Sequence, residues 1–165
     1  APTLVPSRAA LVIPGPKGER IVPAEQYWIG PGIDITRMNV LQPNEILTAI
    51  RIPSTMAGAQ FYFEKVRDRQ VWDFALVNVA SAIVVSGDTI QKARLVVNAV
   101  AATPRRLANV ETAIIGKPRN EATADMAGKM AVEGAQTLRH NAYKVPLMRN
   151  LVQRAIRRAG APWTS

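Results

Sequence analysis

Two long apolar runs, residues 75–86 and 90–101, are separated by little more than Gly87 and Asp88. A Gly-Asp pair between two apolar runs is turn chemistry, so the runs predict two antiparallel strands joined by a tight hairpin. In the second run Leu95, Val97 and Ala99 fall on one face. A third alternating run, residues 59–66, precedes them and predicts a meander of three antiparallel strands. Such a sheet can bury one face and leave the other to water.

The first and second strands are joined by a charged, aromatic crossing within residues 61–80. Lys65, Arg67, Asp68 and Arg69 form a knot of charge, and Trp72, Asp73 and Phe74 follow it. A connection held by two strands is presented at a surface, where binding residues collect. On residue types alone the knot reads more readily as a solvated turn with local ion pairs, each worth under about 1 kcal/mol. Phe61, Phe63 and Phe74 read more readily as core.

Downstream, the period changes to helical. Thr103-Pro104 predicts a helix start, with Leu107, Val110 and Ile114 on one stripe and Gly116-Pro118 as its stop. Asn120 predicts the cap of a second helix reaching about Leu138, rich in Ala and Met. Pro146 predicts a third, with Leu147, Met148, Leu151, Val152, Ala155 and Ile156 inward and Arg149, Arg154, Arg157 and Arg158 outward. The expected fold is α+β: a three-stranded antiparallel sheet packed on three helices. Upstream, residues 9–14 and 19–23 flank Gly15-Pro16-Lys17-Gly18 and predict a β-hairpin. Residues 46–52 predict a strand closed by Pro53. A boundary is expected within residues 54–58, giving units of residues 1–53 and 59–160.

The 165 residues contain no cysteine and one histidine, His140. That excludes disulfides, thiolate metal sites and multi-histidine metal sites within this sequence, and a cysteine nucleophile. No apolar run approaches the roughly 20 residues a membrane-spanning helix needs. The net charge of +9 would suit an acidic partner, but no nucleic-acid motif or aromatic stacking platform accompanies it. The expected compartment is the cytoplasm, with the periplasm reachable by co-export.

Five segments in order carry a family resemblance: residues 15–20 (GPKGER), 45–53 (EILTAIRIP), 65–75 (KVRDRQVWDFA), 102–105 (ATPR) and 141–146 (NAYKVP). Together they resemble the FAD-binding medium subunit of the molybdenum hydroxylases, a family including xanthine dehydrogenase, aerobic carbon monoxide dehydrogenase and aldehyde oxidoreductases. The resemblance implies an electron-transfer role. Electrons from iron–sulfur clusters on a small subunit, fed by a molybdenum cofactor on a large subunit, would pass through FAD to an acceptor. It also implies that residues 1–53 end the second FAD subdomain and that residues 59–160 are the C-terminal domain. The glycine-rich turns that cradle the FAD pyrophosphate in the family have no counterpart here, so a missing half or another chain would supply them. Carried over by position, Lys65 would point toward the flavin edge, Asp73 would stand near its polar rim, Phe74 would lie against the ring, and Trp72 is an additional aromatic beside them. The alternative is an assembly module that packs on partner subunits without holding flavin itself.

Overall fold

The computed structural model describes residues 2–158; residues 1, 159 and 160 of the expected units lie outside them. Strands β1 (Ala10–Gly15) and β2 (Gly18–Pro23) form the expected hairpin, paired from Ala10 opposite Pro23 to Gly15 opposite Gly18. Gly18 closes it with φ of +110°, a region that side chains disfavour. The short strand β3 (Ala49–Arg51) lies on the other edge of β1. The expected strand over residues 46–52 is therefore shorter, although the Ile46 and Thr48 N–H groups still bond to β1 carbonyls of Pro14 and Val12 at 3.3 and 3.0 Å.

Two segments far apart in sequence are clipped together here. Arg20 donates to both oxygens of Glu45, at 2.8 and 2.7 Å. Gly15 lies so close that an added Cβ would meet Glu45 Cγ at 2.9 Å. The Arg20 guanidinium, together with the Gln42 N–H, pulls the Glu45 carboxyl down to about 2.

The second sheet is built from β4 (Gln60–Val66), β5 (Val77–Ser86) and β6 (Thr89–Asn98), a meander as the spacing predicts. A fourth short strand, β7 (Arg105–Arg106), pairs with Val96 and Val97 of β6. This corrects the expected three strands to four, and it corrects the helix start at Thr103-Pro104. The free edge of β6 captures Arg105 and Arg106 by backbone pairing, so helix α1 (Ala108–Ile114) begins only after Leu107. Helix α2 (Glu121–Ala131) is capped as expected by Asn120, whose side chain accepts from the Thr123 N–H at 3.0 Å. It stops short of Leu138: Val132 leaves helical geometry, and Gly134 turns the chain with φ of +71°. Helix α3 (Lys144–Arg158) starts two residues before Pro146, which sits in the first turn where its missing N–H costs nothing.

The helices cover one face of the second sheet. Val77, Val79, Ile83, Leu95 and Val97 pack there with Val110, Ile114, Leu151, Val152 and Ile156. Helices α2 and α3 approach closely at Gly128, where a Cβ would meet Gln153 Cγ at 2.7 Å and the Arg149 carbonyl at 2.9 Å. The charge of α3 is largely spent inside the fold. Arg149 pairs with Asp125 at 2.9 Å, Arg154 with Glu64 at 2.6 Å, and Arg157 with Glu121.

The other face of this sheet is covered only in part. On the β6 side Val96 is buried against Val5, Ala9, Leu11 and Ala24. A charge cluster seals the junction: Arg94 reaches Glu25 at 2.9 Å, and Arg106 bridges Glu25 at 3.4 Å to buried Glu111 at 2.7 Å. Glu111 also accepts from the Leu95 N–H at 2.9 Å. On the β4 side the face stays open. Phe61 is 50% exposed, and a cleft of about 280 Å³ opens between Thr3, Pro6, Phe61, Phe63 and Ala80.

Candidate functional site at the end of the second sheet

The alternation of β4 sorts its side chains. Tyr62 and Val66 pack toward the helices, and Glu64 turns the same way to Arg154. Phe61, Phe63 and Lys65 therefore stand on the open face, opposite Ala82, Ala80 and Asn78 of β5. Residues 67–76 then cross from β4 to β5, closed by a Leu76 N–H to Val66 carbonyl bond of 2.8 Å. Lys65 thus lies at the mouth of the crossing.

Within the crossing, polar groups hold one another. The Lys65 ammonium donates to the Asp73 carbonyl. The Asp73 carboxylate accepts from Arg69 Nε at 3.2 Å and from the Phe74 N–H at 2.9 Å. The Arg69 hydrogen bond, aided by the Phe74 N–H, holds the Asp73 carboxyl below the usual carboxylate range. The Asp73 N–H bonds back to the Val71 carbonyl at 2.7 Å, and Arg67 reaches the Val71 carbonyl and the Gln70 amide at 3.4 and 3.3 Å.

That scaffold presents apolar side chains outward. Trp72 is fully exposed and Phe74 is 92% exposed, with Val71 beside them at 55%. This corrects the reading of Phe74 as core. Burying an aromatic ring contributes roughly 2–3 kcal/mol, and neither ring gains it among the described residues. Of the expected site residues, the structure brings Lys65 and Asp73 into contact and sets Trp72 and Phe74 next to them, pointing away from the core.

A planar, partly apolar ring with a polar edge would fit along the open face: the cleft lies at Phe61 and Phe63, and Lys65 with the exposed rings of the crossing follows at the end of β4. The glycine-rich segments do not fit a pyrophosphate. Gly15–Gly18 is the hairpin turn itself, and a Cβ added at Gly30 or Gly32 would meet nothing within 4 Å, so neither is a tight backbone cradle.

Residues 61–159 match the family described as the CO dehydrogenase flavoprotein C-terminal domain. The chain belongs to that family. It is 31% identical over 157 residues to the carbon monoxide dehydrogenase medium chain of Hydrogenophaga pseudoflava, covering 93% of this chain and 53% of that protein. It is likewise 31% identical over 124 residues to the glyceraldehyde dehydrogenase medium chain of Sulfolobus acidocaldarius, covering 74% of this chain and 42% of the other. A solved structure of the Hydrogenophaga pseudoflava carbon monoxide dehydrogenase superposes with a TM-score of 0.84 at 29% identity, over 97% of this chain and 55% of that one. The α+β fold is thus that of the medium chain, and the chain spans about half the length of the curated relatives it matches.

Sequence reasoning passed over two features, one on the sealed side of this sheet face and one at the site. One is the charge cluster of Glu25, Arg94, Arg106 and Glu111, whose members are up to 86 positions apart (111 − 25) and carry no local pattern. The other is Asn78, buried on the open face with its side-chain oxygen unpartnered. A polar amide inside an otherwise apolar strand was the available signal.

Proposed function

We propose that this chain is the flavin-flanking part of the medium subunit of a molybdenum-hydroxylase-type oxidoreductase. Residues 1–53 end the second FAD subdomain and residues 59–160 form the C-terminal domain. FAD is held jointly with a phosphate-binding half that precedes this sequence or comes from another chain. A small iron–sulfur subunit and a large molybdenum subunit complete the enzyme, which works in the cytoplasm. The observation that carries the reading is the pair of solvent-exposed rings, Trp72 and Phe74, on a crossing pinned by Lys65 and Asp73, in a chain that belongs to a flavoprotein family.

Bound FAD would accept electrons from the iron–sulfur clusters and release them to the acceptor, since the cofactor carries the chemistry and the protein supplies position and field. The residues of this chain have narrower tasks. Trp72 and Phe74 cover the ring and keep water from it. Lys65 keeps a positive charge at its edge, steadied by the Asp73 carbonyl. The Asp73 carboxylate is shared between Arg69, which donates to it, and the nearby Lys65 charge. Lys65, Arg67 and Arg69 outnumber Asp68 and Asp73, so the crossing favours negative charge beside it.

Purification tests the proposal. The chain alone should be colourless, and the complex assembled with the phosphate-binding half should show flavin absorbance with about one FAD per chain. A yellow chain on its own would overturn the shared site, and an assembled complex without flavin would overturn the redox reading. In the complex, Lys65→Ala should slow delivery of electrons to the acceptor roughly tenfold and leave reduction of the molybdenum centre by substrate unchanged. Equal loss in both half-reactions would remove Lys65 from the flavin edge.

A further inference from the structure

Asn78 stands directly opposite Lys65 on one side and Asn98 on the other, so Lys65, Asn78 and Asn98 form a polar row across β4, β5 and β6. The row lies on the open face, because its neighbours Val77, Val79 and Val97 face the helices. It also lies at the end of the sheet where the crossing of residues 67–76 emerges. Two asparagines facing each other inside strands are unfavourable by propensity, since Asn is depleted in strands and needs partners when buried. Here the partners are missing. Asn78 is 7% exposed and its buried Oδ1 has no hydrogen bond among the described residues. The half-buried Asn98 amide makes no hydrogen bond among the described residues.

A local rule broken without compensation among the described residues marks a place shaped for something else. A carboxamide offers one acceptor and donors side by side. Its complement is a ring edge on which carbonyl and N–H also alternate, which is the chemistry of a cyclic imide. A lone carboxylate or phosphate would use only the donors and would leave the unpartnered oxygen unexplained. A simple apolar ligand would leave both amides unsatisfied.

We infer that Asn78 and Asn98 form the hydrogen-bonding shelf for the imide edge of the flavin ring, beside the cation of Lys65, the Asn78 carboxamide turning about its side-chain bonds to bring its buried oxygen to the ring. This rests on the flavin reading above and adds to it which side chains orient the ring. The row gives the ring a direction: heteroatoms toward Lys65, Asn78 and Asn98, with the apolar part toward the aromatic side chains. The inference also separates Asn78 from ordinary core residues. An isosteric apolar replacement removes an unsatisfied buried group, so it should stabilise the flavin-free protein while weakening flavin binding.

The test is a titration of FAD onto the flavin-depleted assembled complex carrying Asn78→Leu or Asn98→Leu, with thermal melting of each flavin-free protein. Asn78→Leu should weaken FAD binding about tenfold, the equivalent of one lost hydrogen bond, and should melt no lower than the unmodified protein. Asn98→Leu, on a more exposed residue, should weaken it about threefold and shift the absorption bands of bound flavin. Wild-type FAD affinity and spectra in both variants would overturn the shelf and leave the flavin reading standing. Failure of the unmodified complex to take up FAD would overturn the flavin reading itself. A lower melting temperature for Asn78→Leu without flavin would show Asn78 to be structural and would also overturn the shelf.

Discussion

The two faces of the second sheet use the same three long strands in opposite ways. Toward the helices, Val77, Val79, Ile83, Leu95 and Val97 are completely buried by residues of this chain. Toward the other side, coverage stops halfway: Val96 is sealed by Val5, Ala9, Leu11 and Ala24, whereas Phe61 and Phe63 line an open cleft and Lys65 leads from it to the crossing. The first face is a finished core and the second is left open on the β4 side, where we propose the flavin site. The difference teaches where to look for function in a chain with no catalytic motif. The place we propose for it is where strands with core composition present unpaired amides and exposed rings.

The sharpest way to break this comparison is to damage the finished face. Leu151→Ala removes a fully buried side chain from α3 and should cost about 2–5 kcal/mol, read by denaturant unfolding. Gly128→Ala forces a methyl group against the Arg149 carbonyl and should cost about 1–3 kcal/mol. If either variant melts like the unmodified protein, the helix face is not the stabilising one. A smaller effect belongs to the clip in the first unit. Glu45 has a folded pKa depressed to about 2 by Arg20 and Gln42, so its stabilising contribution is present above about pH 4.5 and is lost as pH falls toward 2. Thermal melting should decline over that window, and Glu45→Gln should flatten that part of the decline. The smallest effect is expected at the crossing. Trp72→Ser and Phe74→Ser should each change the stability of this chain by less than about 0.5 kcal/mol, because neither ring is buried, while both should weaken flavin retention in the assembled complex.

Much of the frame was legible in the sequence because it is local. Gly15–Gly18 and Gly87-Asp88 announce their hairpins, Asn120 announces α2, and the stripe through Leu151 and Ile156 announces the face of α3. The errors fell where distant segments compete. Arg105 and Arg106 pair with the edge of β6 instead of opening a helix, and only the fold reveals that the edge is free. The crossing was legible as a surface feature, but the exposure of Phe74 was not, since an aromatic residue beside an apolar strand ordinarily packs. Late arginines suggested a basic surface, yet Arg149, Arg154 and Arg157 find Asp125, Glu64 and Glu121 on neighbouring elements. Asn78 was visible as a letter but acquires meaning only beside Lys65 and Asn98, a juxtaposition set by register.

The central claim is that the crossing borders the flavin ring, and the emission of Trp72 tests it most directly. In the flavin-free complex, the difference between the unmodified protein and Trp72→Phe isolates the emission of that one indole. The account predicts that adding FAD abolishes this difference, because a ring in contact with the indole quenches it. A Trp72 contribution of equal intensity with and without bound FAD would contradict the account.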